Sequence, residues 1–277
     1  MSGMEASVAR FAAMGTRVEL HVFGCDDPAA LAAAKAAILS VEDALTIHRP
    51  SSTTALNQML SIGGSLVVDD GLLFEALLHV DALWRATCGL FDPSLGAWSA
   101  LSINPATRLV AAARPLTLDF GGFGKGFALD HAVTALRAMG VPSALLSAGE
   151  SSIAVLGQHP LAGGWPLAVP HPEDAGAWLI ELDLQDASLS ISSTVGAGAA
   201  KPGRAAMIRP TDGTIVTMPA TAVAVAATGA EAEALSTALL VADPAALDRL
   251  RTAAPEDRFL FPHAAPVGAE RALEPTA

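Results

Sequence analysis

From Thr117 to Asp130 the chain reads Thr-Leu-Asp-Phe-Gly-Gly-Phe-Gly-Lys-Gly-Phe-Ala-Leu-Asp, with four glycines and a lysine between Asp119 and Asp130. Glycines strip the backbone of side chains, so a ligand can approach the main chain closely. A helical pattern starts inside the run, and the first amides of a helix attract anions. Lys125 is one of only three lysines, with Lys35 and Lys201, and it adds a point charge suited to a phosphate. Asp119 and Asp130 offer oxygens for a ribose hydroxyl or a hard cation. The chemistry predicted is that of a phosphate-bearing ligand. The run is not a P-loop, because no Ser or Thr follows Lys125, and it lacks the spacing of a dinucleotide-binding fingerprint. Glycines kept for packing and a solvated lysine at a helix start would read the same way.

These residues need a scaffold, and the composition bounds it. The chain has 277 residues, 52% of them hydrophobic and 16% charged, enough for one large domain or two tightly packed halves. We expect a single domain over 1–262 and a Pro/Ala-rich tail over 263–277. The formal net charge of −12 argues against nucleic acid as a partner. Cys25 and Cys88 form no zinc spacing and suit a reducing compartment. No apolar leader, lipid-attachment cysteine or membrane-spanning run is legible, so the expected location is cytoplasmic.

Hydrophobic periodicity predicts two short strands over Val8–Phe23, broken at Met14-Gly15-Thr16. Helices are predicted over about 28–47, 70–87, 124–139, 231–241 and 244–250. His48-Arg49-Pro50-Ser51-Ser52 reads as a break, and Phe91-Asp92-Pro93-Ser94 as a turn. The middle is mostly β, with strands predicted at 144–147, 152–156, 165–169, 178–184, 188–192, 205–209 and 221–226, and a last one at 258–261. Strands and helices do not alternate, which favours an α+β fold: mixed or antiparallel sheets flanked by helices.

Several segments together resemble the ApbE family of magnesium-dependent flavin transferases. Met14-Gly15-Thr16 resembles its Met-Gly-Thr, and Ser51 with Leu56-Asn57 its Ser-x-x-x-x-Leu-Asn. Residues 89–96, Gly-Leu-Phe-Asp-Pro-Ser-Leu-Gly, resemble its Gly-x-Phe-Asp-Pro-Thr-x-Gly. The run from Asp119 to Asp130 resembles its Gly-Gly-x-x-Lys-Gly motif, and residues 232–239 its Ala-Asp-Ala-Leu-Ala-Thr-Ala-Leu. The resemblance implies an FAD-binding, Mg²⁺-dependent enzyme that moves FMN from FAD to a threonine of an acceptor flavoprotein, releasing AMP. It places Met14, Phe91, Asp92, Asp119 and Lys125 at the FAD. It makes the Gly122 carbonyl, Glu233 and Thr237 the metal ligands. From the residues alone, Glu233 and Thr237 are simply four apart on one helix face.

The chain departs from the family pattern at four places. Glu233 stands for the metal-binding aspartate, one methylene longer. Glu150 stands for a glycine after the central strand: it either strains a turn at positive φ or brings a carboxylate near the phosphates. Ala206 and Arg209 replace the family's histidine and aspartate, and Arg209 suits a phosphate clamp. Ser192-Ser193-Thr194 stands for Thr-Ser-Gly. These changes predict weak transfer. They leave two alternatives to a full transferase: a non-catalytic flavin-binding module, or an FAD pyrophosphatase.

Overall fold

The computed structural model describes residues 6–161, 163–195 and 207–263. The expected tail lies outside the described residues apart from His263, as do Lys201 and Ala206.

The predicted pair of N-terminal strands is β1 (Ala6–Ala13) and β2 (Thr16–Phe23). Met14 and Gly15 join them, at φ 55° and 68°. A two-residue hairpin turn with both residues left-handed matches the twist of the flanking strands. Helix α1 (Pro28–Leu45) follows, capped by the Asp27 side chain on the Ala29 amide. The predicted break separates α1 from a short, unpredicted helix α2 (Ser52–Leu60). Ser51 is its N-cap, and Ser51 and Thr54 exchange side-chain and backbone hydrogen bonds as a capping box. The last two residues of the break, Ser51 and Ser52, are thus also the start of the next helix.

β3 (Ser65–Val67) precedes α3 (Gly71–Ala86), which matches the predicted helix and is capped by Asp70. β4 (Leu101–Asn104) and β5 (Leu109–Ala112) join β3 in a three-stranded sheet, in the order β3-β5-β4, that periodicity does not predict. Each strand is only three or four residues long, too short to show a period.

The glycine-rich run leads into α4 (Gly124–Ala138), followed by β6 (Ser143–Ala148) and β7 (Ser152–Leu156). A two-stranded ribbon, β8 (Trp165–Pro170) and β9 (Trp178–Leu184), leads to β10 (Ser188–Ser193) and β11 (Ala220–Ala226). The predicted strand over 205–209 has Ala205 and Ala206 outside the described residues. Its remainder forms an isolated bridge between Ile208 and Ile215, and Pro210 follows directly. Helices α5 (Gly229–Val241) and α6 (Pro244–Thr252) and strand β12 (Arg258–Pro262) complete the described chain.

The main sheet has seven strands in the order β1-β2-β6-β7-β10-β11-β12, and each neighbouring pair is antiparallel. The fold is thus α+β with antiparallel sheets flanked by helices. Eleven of the thirteen residues of α5 are buried, so this helix runs through the interior and not along a surface. It lies on β10 and β11, and α4 packs between it and α1. The β8–β9 ribbon covers a smaller core on Val155, Trp165, Val169, Leu184, Leu189 and Val223. Among the described residues no helix is long and apolar enough to cross a membrane.

Candidate active site

The β1–β2 turn, the Leu90–Leu95 turn, the start of α4 and the inner face of α5 meet at a cleft of about 760 Å³, which Gly149, Ser151, β10 and Met207, Ile208 and Pro210 also line. Met14, Phe91, Asp92, Asp119, Gly122, Lys125, Glu233 and Thr237 all line it. The eight residues named from the sequence, spread over more than two hundred positions, share one concave surface.

Local chemistry explains each position. The left-handed turn at Met14-Gly15 points its backbone at α1, where the Met14 amide donates to Glu42 Oε1 at 2.7 Å. The extended segment leading to Asp119 is clamped by Asn57, whose side chain accepts from the Leu118 amide at 2.8 Å and donates to the Leu118 carbonyl at 2.9 Å. The Asp119 amide donates to the Pro93 carbonyl at 2.9 Å, which ties this segment to the Phe91 turn. Asp119 Oδ1 accepts from the Gly121 amide at 2.8 Å, bending the chain before α4. No side chain caps the start of α4, where Lys125 is the second residue.

Asp92 is committed to its own turn. Its carboxylate accepts from the Ser94 amide and hydroxyl and from the Gly96 and Trp98 amides. Such a carboxylate shapes the cleft wall and holds Phe91 beside Phe123, ring centroids 6.4 Å apart.

The glycines divide their work. Gly121 and Gly122 line the cleft, and a Cβ on Gly122 would sit 3.3 Å from the Thr237 hydroxyl. Gly126 serves packing: a Cβ there would lie 2.1 Å from the Gly229 carbonyl oxygen, so α4 and α5 touch backbone to backbone. Asp130 seals that contact. Its two oxygens accept from the Gly229 amide at 2.6 Å and the Ala230 amide at 2.9 Å, capping α5 from a neighbouring helix. Burial raises the Asp130 pKa to about 6; it outweighs the two amide bonds, and Glu233 and Glu231 add like-charge repulsion.

Glu233 is 2% exposed, a carboxylate deep in the fold. Its Oε1 accepts from Lys125 Nζ at 2.5 Å and from Ser152 Oγ at 2.5 Å. Its Oε2 is buried with no hydrogen-bond partner among the described residues. Thr237 stands one helical turn further along α5. Ser236 turns the other way, toward Ser190 and Ser192 of the sheet at 3.0 and 2.9 Å.

Two departures point away from the cleft. Glu150 takes φ 61°, so the strained alternative is the one adopted. Its carboxylate meets Arg17 at 2.8 Å in an exposed pair and does not line the cleft. The neighbouring Gly149 is required: a Cβ there would sit 2.5 Å from Thr16 Oγ1. Arg209 is not a phosphate clamp. Its Nε donates to the Val241 carbonyl at 2.7 Å and its Nη1 to Asp212 Oδ2 at 3.0 Å, which places the guanidinium on the last turn of α5. Its neighbours Ile208 and Pro210 line the cleft instead. Ala206, at the family's histidine, lies outside the described residues.

The model of the ApbE family matches residues 97–257. The chain belongs to the ApbE family. It is 30% identical over 202 residues to an FAD:protein FMN transferase of Rhodobacter capsulatus, a match covering 60% of this chain. The chain spans 38% of the length of that curated relative. The fold is shared with solved ApbE structures. For the flavinyl transferase of Pseudomonas stutzeri in its apo form the TM-score is 0.74 at 20% identity, over 91% of this chain and 89% of that one. For the ApbE protein of Thermotoga maritima the TM-score is 0.75 at 18% identity, over 93% and 94%. For the flavin transferase ApbE of Vibrio cholerae it is 0.76 at 15% identity, over 94% and 98%.

Three residues that this ApbE-family site uses were not singled out by sequence reasoning. Asn57 lay inside a quoted motif but carried no stated role. Ser152, close to the Glu150 departure, and Glu42 likewise carried no stated role, because each acts through a partner 81 or 28 positions away.

Proposed function

We propose that this chain binds FAD in the cleft and transfers its FMN moiety to a threonine of an acceptor flavoprotein, with Mg²⁺ as cofactor. The observation that carries the reading is the convergence of Met14, Phe91, Asp119, Gly122, Lys125, Glu233 and Thr237 on one cleft. Its volume of about 760 Å³ falls within the range of about 300–1,000 Å³ usual for small-molecule sites.

The charges support a cation. Asp92, Asp119 and Glu233 line the cleft against the single ammonium of Lys125 among the described lining residues. An anionic pyrophosphate entering a net-negative cleft needs positive charge brought with it. The residues fit a hard divalent ion: the orphaned, buried Oε2 of Glu233, the Thr237 hydroxyl and the Gly122 backbone beside it are oxygen donors. Among the described residues no three His, Cys, Asp or Glu side chains gather as a metal group, and Glu233 is the carboxylate that leaves a buried oxygen unpartnered. When bound, it would neutralise charge on the phosphoryl oxygens.

The chain's own residues bind and orient. Lys125 provides a point charge for the pyrophosphate, and the uncapped start of α4 adds its amides. Asp119 has Oδ2 free of its own turn for a hydroxyl of the ligand. Met14 and Phe91 supply apolar walls for the flavin. In the transfer, the threonine hydroxyl oxygen bonds to the FMN phosphorus, the bond from that phosphorus to the bridging oxygen breaks, and AMP leaves with the bridging oxygen, the hydroxyl proton passing to the departing phosphate or to water. Such a step relies on positioning and charge stabilisation more than on covalent help.

No histidine stands among the described residues that line the cleft. General acid–base help is worth typically about 10²–10⁴-fold, so transfer is expected to be slow. The same cleft serves one second reading, hydrolysis of FAD to FMN and AMP with water as acceptor. The test is incubation with FAD, Mg²⁺ and a Thr-containing acceptor peptide, followed by chromatography for AMP, FMN and the flavinylated peptide. Flavinylated peptide supports the transferase. AMP and FMN released without any peptide labelling support the pyrophosphatase. Bound but unchanged FAD means a flavin-binding module, and no FAD binding refutes the reading.

A further inference from the structure

The two residues assigned to different partners, Lys125 to the pyrophosphate and Glu233 to the cation, are bonded to each other. We infer that Glu233 latches Lys125, and that a divalent cation taking the other oxygen of Glu233 releases the ammonium to an anionic ligand. The inference rests on the flavin-and-cation reading of the cleft and adds an order and a coupling to it.

The carboxylate is divided between two tasks. Oε1 is occupied twice, by Lys125 Nζ and by Ser152 Oγ, each at 2.5 Å. Oε2 faces no protein donor among the described residues and is shut off from solvent. Ser152 is itself 2% exposed and fixed in β7, so it holds the carboxylate whether or not Lys125 stays. Lys125 is the movable partner: its side chain keeps 22% exposure, on a flexible four-carbon stem.

Side-chain length makes the latch. A carboxylate one methylene shorter would draw back by about 1.5 Å, the length of a carbon–carbon bond. With Lys125 in its present position, a contact of 2.5 Å would then open beyond hydrogen-bond range. Glu233, standing where the family pattern has aspartate, reaches the lysine for this reason.

Electrostatics sets the consequence. While paired, Lys125 presents little net charge to an incoming anion, and Glu233 repels it at close range in a buried setting. A cation on Oε2 puts two positive partners on one carboxylate. The fixed ion keeps it, and the ammonium swings toward the phosphates. Cation and flavin therefore tighten each other's binding, by the same factor in both directions.

The test uses Mn²⁺ alone as the first probe, titrated without flavin. Lys125→Met removes the competitor for Glu233 and is expected to bind Mn²⁺ about tenfold more tightly than wild type. In a Glu233→Asp background the same lysine change is expected to alter Mn²⁺ affinity by less than about twofold, since the pair is already open. Unchanged or weaker Mn²⁺ affinity in Lys125→Met overturns the latch, as does a wild type that binds no Mn²⁺. The second probe is FAD, followed by flavin fluorescence on wild type with and without Mn²⁺, which needs no variant. Mutual tightening of about tenfold supports the latch, and FAD affinity indifferent to Mn²⁺ overturns it. Glu233→Gln should bind FAD without Mn²⁺ as tightly as wild type does with it. The two readings fail separately. Mn²⁺ tightening in Lys125→Met with no FAD bound by any form keeps the latch and removes the flavin. FAD bound equally with and without Mn²⁺ keeps the flavin and removes the latch.

Discussion

Asp130→Asn should remove a pH dependence of stability that the wild type carries between about pH 4 and 6. Asp130 lies on α4 and caps α5 through the Gly229 and Ala230 amides. Two amide donors at a helix start favour the charged carboxylate, yet burial wins and lifts its pKa from 3.8 to about 6. A group with a raised folded pKa binds its proton more tightly when folded. Its stabilising contribution is complete below the unfolded value near 3.8 and is lost as pH rises through about 6. Each tenfold in acid constant is worth about 1.4 kcal/mol, so the loss approaches about 3 kcal/mol by pH 7. The asparagine keeps an acceptor oxygen but has no charge to bury, so this contribution is absent from its profile. Urea unfolding of both proteins from pH 4 to 7.5 isolates the term as the difference between their stabilities. The wild type should lose up to about 3 kcal/mol relative to Asp130→Asn as pH rises. A difference that stays constant, or that grows in favour of the wild type, refutes the claim that burial outweighs the amide bonds.

Three further outcomes are expected. Gly126→Ala drives a Cβ against the Gly229 carbonyl oxygen at 2.1 Å, and should cost at least about 1–3 kcal/mol in thermal or urea unfolding. Glu150→Gly relieves a side chain at φ 61° and should stabilise by up to about 1 kcal/mol. Because the Glu150 carboxylate meets Arg17 and not the cleft, FAD affinity by calorimetry should stay the same in that variant. Arg209→Asp restores the residue type of the family motif but places a carboxylate at the C-terminal end of α5, beside the Val241 carbonyl. It should destabilise by about 1–2 kcal/mol and leave turnover no faster, checked by melting and by AMP release from FAD.

The part of the site that was legible in sequence is the part written in local turn chemistry. Met14-Gly15-Thr16 reads as punctuation because two adjacent left-handed residues are needed between β1 and β2. Asp119 to Lys125 reads as a helix entry because Asp119 bends the chain onto Gly121 and α4 follows. Glu233 and Thr237 read as neighbours because a helix puts residues four apart on one face. The long strands and helices carry their period openly. The illegible part depends on partners far away in the chain. Ser152 is an ordinary strand serine until α5 lies over it. Gly126 belongs to the same run as Gly122, yet one faces Gly229 and the other the cleft. Helix α2 escapes because the serine and threonine of its capping box, Ser51 and Thr54, also favour turns. The three-stranded sheet escapes because strands of three or four residues show no alternation to count.

The direction of each departure decides what it does to the chemistry. Glu150 sits at a left-handed turn that turns its carboxylate outward to Arg17, so it changes the backbone and leaves the charge of the cleft alone. Arg209 faces the end of α5, so the positive charge expected at the phosphates is spent on a helix terminus. Neither residue lines the cleft. Glu233 does, and it is buried where a charge must be paired or bound to a cation. Helix α5 can hold it there because Gly126 and Gly229 bring two helices into backbone contact and Asp130 closes the helix start above it. The one methylene by which Glu233 exceeds the family's aspartate then falls on the pair with Lys125, the single ammonium among the described lining residues. Among the described residues, the change in charge geometry at the cleft is concentrated in that one side chain.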